Sequence, residues 1–139
     1  MKTERTFAII KPDAVKAGDM GRIISEIERS GLALRGLRLA RLTPGICKDF
    51  YAEHVGKGFY ADLEAFMVEG PVLLMCLEGE NAILRWRDLM GATDPGKAAP
   101  GTLRAQFGTS IGRNATHGSD SPAAAVRELG FFFGAFDLV

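Results

Sequence analysis

This sequence has no excess of either charge, no cysteine framework and no apolar run long enough to cross a bilayer, and each absence removes a class of function. Seventeen basic and seventeen acidic residues cancel, so no global field draws the chain to nucleic acid or to an anionic membrane surface. Any anion site must come from local clustering. Cys47 and Cys76 are the only cysteines. They stand far apart, form no metal-type pair, and are expected to stay reduced, as in a cytosol. No N-terminal apolar stretch reads as a signal peptide, so a cytoplasmic location is expected. Two nucleotide fingerprints are missing as well: there is no Gly-x-x-x-x-Gly-Lys-Ser/Thr loop and no Gly-x-Gly-x-x-Gly. Those familiar glycine cradles for phosphate are thereby excluded.

What is present suffices for a single domain over residues 1–139, with a core that needs neither disulfide nor structural metal. Residues 5–10 are apolar and branched, which suits a buried strand, and Pro12 stops it. Ile23, Ile24 and Ile27 fall at helical spacing within 20–30, with Gly31 as a C-terminal stop. Residues 32–42 alternate loosely between leucine and arginine, as a half-exposed strand would. Helices are expected over 44–54, 60–68, 81–90 and 122–133, and a fully apolar central strand over 72–77. Residues 91–101, rich in Gly, Pro and Ala, read as a loop. With a last short strand near His117, the pattern is an α+β sandwich.

The most informative run is Asn114-Ala115-Thr116-His117-Gly118-Ser119-Asp120-Ser121, which places one of the two histidines on a loop of small polar residues. A helix start follows: Ser121 can cap it, and Pro122 suits its first position because its missing N–H would be unpaired there. Histidine acts near neutral pH as nucleophile, base or metal ligand, and Gly118 leaves room for a substrate. His54 stands beside Glu53 on an expected helix and reads as a surface residue.

That run resembles the active-site signature of nucleoside diphosphate kinases. The stretch Glu4-Arg5-Thr6-Phe7-Ala8-Ile9-Ile10-Lys11-Pro12-Asp13-Ala14-Val15 looks like the family's first strand and following turn. Phe50-Tyr51-Ala52-Glu53-His54, Glu69-Gly70-Pro71-Val72, Leu77-Glu78-Gly79-Glu80-Asn81-Ala82, Arg87-Asp88-Leu89-Met90-Gly91-Ala92-Thr93-Asp94-Pro95 and Pro100-Gly101-Thr102-Leu103-Arg104 match in order and at similar spacing. The resemblance runs from about residue 4 to 138. It implies a ferredoxin-like four-stranded antiparallel sheet covered by helices, a strand order that periodicity alone does not give.

It also implies roles. His117 would be the nucleophile that takes the γ-phosphoryl group from ATP or another nucleoside triphosphate and passes it to a nucleoside or deoxynucleoside diphosphate, a ping-pong reaction that maintains triphosphate pools. Glu128 would fix the imidazole tautomer, and Ser119 would support it from the adjoining loop. Lys11 and Asn114 would bond the sugar hydroxyls, with Lys11 also near the phosphates. Arg87 and Thr93 would hold the β-phosphate, Arg104 the transferred group, and Tyr51 would sit beside the reacting phosphate. Phe59 would stack on the base, with Ile111 against its other face, and stacking tolerates any base. Mg²⁺ would arrive with the nucleotide, held chiefly by phosphates, and no dedicated carboxylate cage is expected.

Family members are homo-oligomers, mostly tetramers and hexamers built on a shared dimer. The apolar tail 130–136 would suit a buried subunit contact. The chain departs from the family's pattern at two places near the site. Lys57-Gly58-Phe59-Tyr60 replaces Arg-Pro-Phe-Phe, which loosens the segment presenting Phe59. Trp86 puts a bulky indole beside Arg87, to pack on the protein or to face a neighbouring subunit. The alternative function is a catalytically silent relative that binds nucleotide or single-stranded nucleic acid as an oligomer. Zero net charge and aliphatic strands argue against a nucleic-acid face, and no membrane partner is expected.

Overall fold

The two central strands carry side chains alternately to two cores, and that alternation decides where the site sits. The structure, a computed structural model, describes residues 3–139. In β1 (Thr3–Ile10), Phe7 and Ile9 enter one core while Ala8 and Ile10 enter the other. β3 (Val72–Glu80) divides likewise, with Val72, Leu74 and Cys76 on one side and Leu73, Met75 and Leu77 on the other. Strands buried on both faces read as continuous apolar runs, as residues 7–10 and 72–77 do.

Between and around them lie α1 (Pro12–Lys16), α2 (Met20–Arg29), β2 (Ala33–Ala40), α3 (Pro44–Phe50), α4 (Tyr60–Met67), α5 (Ala82–Met90), α6 (Leu103–Phe107), β4 (Thr116–Gly118) and α7 (Pro122–Phe132). The sheet order is β2-β3-β1-β4 with every pairing antiparallel, the ferredoxin-like arrangement. Residues of α3, α4 and α7 fill the core with Phe7 and Ile9, while those of α2 and α5 fill the core with Ala8 and Ile10. Among the described residues no helix is long and apolar enough to cross a membrane.

Several boundaries differ from the sequence expectation, each for a local reason. The helix expected over 44–54 stops at Phe50, and a 3-10 turn takes Ala52–His54. α1 and α6 span five residues each, too short to leave a helical period in the sequence. β3 runs on past Leu77 to Glu80 because its polar end is held from both sides. The Glu78 carboxylate accepts from Arg5 Nε at 2.7 Å and from Arg35 Nε at 3.1 Å, linking β1, β3 and β2. The α7 start is as read: Ser121 Oγ accepts from Ala124 N at 3.0 Å and Pro122 takes the first turn.

Trp86 is fully buried inside its own chain, so the subunit-facing alternative does not apply. The aromatic tail also packs largely on its own protein. Phe132 stacks on Phe7 at 5.4 Å, Phe133 is buried, and Phe136 remains wholly exposed.

Candidate active site

β4 pairs with β1 at the sheet edge, His117 opposite Ile9 and Gly118 opposite Ala8. Alternation therefore aims the two residues to opposite faces. The His117 ring lies on the Phe7 side, 5.9 Å from the Phe7 and Phe50 ring centres. Gly118 lies against α5, where an added Cβ would come within 2.6 Å of Trp86 Cδ1 and 2.7 Å of Met90 Cε. Only glycine lets β4 approach that closely. His117 is thus on a strand rather than the loop expected from the small residues around it. Just before it, Ala115 takes φ 73°, a left-handed conformation that costs a non-glycine residue about 1–2 kcal/mol. It is held there by Lys11 N donating to its carbonyl at 2.8 Å and by its own N donating to Asp13 Oδ2 at 3.1 Å.

The imidazole is fixed from α7. His117 Nε2 lies 3.1 Å from Glu128 Oε1, and Ser119 Oγ donates to the same oxygen at 2.8 Å. A carboxylate can only accept, so Nε2 carries the hydrogen and Nδ1 keeps a free lone pair. Burial opposes the charge on Glu128, but the bonds from His117 and Ser119 and the nearby Arg127 outweigh it and hold the carboxyl below its usual range. Burial lowers the His117 pKa, against the pull of Glu128 and with the help of Lys11 and Arg104. The ring is thereby kept neutral at pH 7.

Cations gather on the other side. Lys11 Nζ donates to Asn114 Oδ1 at 2.9 Å, and Asn114 Nδ2 donates to the Thr93 carbonyl at 3.1 Å. Burial, with Arg104 adding like charge and Asp13 opposing, pulls the Lys11 ammonium down to about 8. Arg104 is pushed down to about 10 by burial and by Arg87 beside it. Its guanidinium donates to the Gly91 carbonyl and to the Thr116 carbonyl, both at 3.0 Å. Its Nε is buried and unpartnered among the described residues. Uncompensated positive charge beside a neutral histidine is a site for an anion.

Two cavities flank this arrangement. One, of about 360 Å³, is walled by His117, Gly118, Tyr51, His54 and Glu128. The other, of about 690 Å³, runs from Lys11 between Phe59 and Ile111. Phe59 and Ile111 are exposed, 52% and 62% respectively, which is unusual for large apolar groups facing one slot.

Comparison with known proteins gives the family. The family model described as nucleoside diphosphate kinase matches residues 4–138. The chain belongs to the nucleoside diphosphate kinase family. A nucleoside diphosphate kinase of Bdellovibrio bacteriovorus is 52% identical over 133 residues, covering 96% of this chain and 94% of that protein. The solved Aquifex aeolicus nucleoside diphosphate kinase superposes with a TM-score of 0.96 at 42% identity, covering 99% of this chain and 100% of that one. The halophilic enzyme of Halobacterium salinarum, solved in complex with CDP, gives 0.95 at 41% identity, covering 99% and 92%.

In this nucleoside diphosphate kinase family member, then, the sequence-predicted residues fall into three groups. His117, Ser119 and Glu128 form one bonded chain, and Lys11, Asn114 and the Thr93 backbone form another. Phe59 and Ile111 both line the larger cavity, and Gly118 and Tyr51 wall the smaller. Tyr51 is 7% exposed and packs edge-on to Phe50 at 4.8 Å; burial holds its hydroxyl protonated far above neutral pH. The Arg87 and Thr93 side chains are exposed, and with Arg104 they line neither cavity.

His54 is the correction. Expected at the surface, it is half-buried on the same cavity wall as His117, its ring 6.1 Å from Tyr51 and 5.4 Å from Phe59. Its buried Nδ1 has no partner among the described residues. The 3-10 turn rotates it inward, where a continued α-helix would have carried it elsewhere. The one available signal was its spacing of three from Tyr51.

Proposed function

We propose that this chain transfers the γ-phosphoryl group of a nucleoside triphosphate, typically ATP, to a nucleoside diphosphate through a phosphohistidine at His117, so maintaining NTP and dNTP pools. The observation that carries the reading is the single bond from Nε2 to Glu128, which leaves Nδ1 as a neutral nucleophile needing no base. Attack by Nδ1 on the γ-phosphorus forms the N–P bond as the bond to the leaving β-phosphate oxygen breaks. The imidazolium that develops is stabilised through Nε2–H by the ionised Glu128, while Ser119 keeps that carboxylate aligned. A diphosphate then takes the group back by the reverse displacement from the same pocket.

The base occupies the slot between Phe59 and Ile111, where stacking serves purines and pyrimidines alike. Lys11 and Asn114 bind the sugar hydroxyls, Arg87 and Thr93 the β-phosphate, and Arg104 the moving group, whose charge it offsets. Tyr51 and His54 stand beside the reacting phosphate. Mg²⁺ would ride on the nucleotide phosphates, where it neutralises charge. The relative solved with CDP supports a nucleoside diphosphate as one substrate. We place the protein in the cytoplasm, where its two free, buried thiols stay reduced, and as a tetramer or hexamer built from dimers. The exposed Leu37 and Leu39 on the outer strand β2 favour such assembly.

The test is direct. Protein incubated with γ-labelled ATP and Mg²⁺, freed of nucleotide, retains acid-labile label that GDP or dCDP then removes as triphosphate. Folded protein that neither takes up nor passes label overturns the reading.

The pH dependence follows from the same groups. His117 has its pKa lowered in the fold, so it remains the neutral nucleophile down past its ordinary value of about 6.5. Lys11 keeps its charge only below about 8. The free-enzyme profile, kcat/KM against pH, should be flat between those limits. It should fall on the acid side below 6.5 and on the alkaline side through about 8. An alkaline limb unmoved in Lys11→Arg would separate Lys11 from that loss.

A further inference from the structure

A three-residue edge strand is a poor platform for a nucleophile, and β4 has neighbours on only one side of the sheet. Its stiffness must come from elsewhere. Below the sheet, Trp86 Nε1 donates to the carbonyl of His117 itself at 3.1 Å. The same indole presses its edge on the next residue, where Gly118 leaves it room. Trp86 is fully buried, and its N–H is the single donor an indole possesses. An apolar side chain would fill this volume without that bond.

We propose that Trp86 is a positioning residue for His117, setting the aim of Nδ1 by holding the nucleophile's backbone from the face opposite its ring. This rests on the phosphohistidine reading above. The ring is gripped at Nε2 by Glu128 and the main-chain carbonyl of the same residue by Trp86, so His117 is held at two points from opposite faces of the sheet. A ring held at one point can swing, and small errors of aim are costly when reacting atoms must meet in line. Trp86 also precedes Arg87 on α5. One rigid helix thereby sets the spacing between the nucleophile and a residue assigned to the nucleotide phosphates. In the sequence the indole shows only as bulk; the fold gives its donor a partner.

The chain holds one tryptophan, so a one-atom experiment is available. Biosynthetic replacement of tryptophan by β-(3-benzothienyl)alanine exchanges the N–H for sulfur at this position alone and keeps the ring shape. The expected result is a fall in kcat, and in the single-turnover rate of phosphoenzyme formation, of about two- to tenfold, the scale of one neutral hydrogen bond. KM should stay unchanged, because Lys11, Phe59 and Ile111 are untouched. Trp86→Phe should behave likewise with a larger loss of stability. In the unaltered protein, Trp86 emission should shift in proportion to phosphoenzyme formed. A folded sulfur analogue with unaltered kcat, or an effect on KM alone, overturns the proposal while leaving the phosphohistidine intact. Failure of the unaltered protein to form phosphoenzyme overturns both.

Discussion

His117→Ala should take up no label from γ-labelled ATP and should lose turnover on the order of 10⁴-fold or more, the scale seen when a covalent nucleophile is removed. The protein should still fold. Truncation at His117 leaves Glu128 with the Ser119 hydroxyl at 2.8 Å and Arg127 at 3.6 Å, so the buried carboxylate keeps partners. Its loss of stability should be about 1–3 kcal/mol, from the imidazole bond and the contacts with Phe7 and Phe50. Nucleotide should still bind, since the base slot and Lys11 lie apart from the ring. Acid-quenched labelling, calorimetric nucleotide binding and thermal melting together decide the matter. Label retained by the alanine variant would put the phosphoryl group on another residue and end the present assignment.

The order of elements was legible in the sequence, whereas the roles expected of the site residues followed from the family resemblance and not from residue type. The fold brings His117, Ser119 and Glu128 together, and Lys11 with Asn114. A histidine among small residues, followed by a Ser-Pro helix start, marks a candidate site, but by itself it does not separate a nucleophile from a base, a metal ligand or a satisfied polar residue. The strands read at 5–10 and 72–77 fall within β1 and β3, since a short branched apolar run such as 7–10 or 72–77 suits a strand buried on both faces. Legibility fails where a short element has no period to show. The 3-10 turn at Ala52–His54 is three residues long, and it alone carries His54 into the cavity wall. It fails again where a bond joins distant segments. No sequence pattern indicates that Trp86 reaches the carbonyl of residue 117, or that Arg104 spends two donors on the carbonyls of Gly91 and Thr116. The family resemblance implied an arginine free for phosphate, and the fold gives Arg104 structural bonds as well.

That double duty makes Arg104→Lys the second large prediction. The guanidinium has five donors in a fixed fork, two of them already spent on main-chain carbonyls, and under the proposed function the others would serve the transferred phosphoryl group. An ammonium on a flexible stem cannot serve both carbonyls and a phosphate at once. One carbonyl should lose its partner, at about 1–3 kcal/mol for a buried group. Because one of the two belongs to Thr116, β4, the strand that carries His117, should loosen as well. The rate of phosphoenzyme formation should fall on the order of 10²–10³-fold, the cost of losing one preorganised charge-stabilising donor. Arg87 supplies the control: it is exposed on α5, so Arg87→Lys should slow transfer while leaving the melting temperature nearly unchanged. Single-turnover labelling and thermal melting on both variants separate the outcomes. A destabilised Arg104→Lys protein with undiminished transfer would make Arg104 a brace for β4 and assign the phosphoryl charge to Lys11 and Arg87 alone.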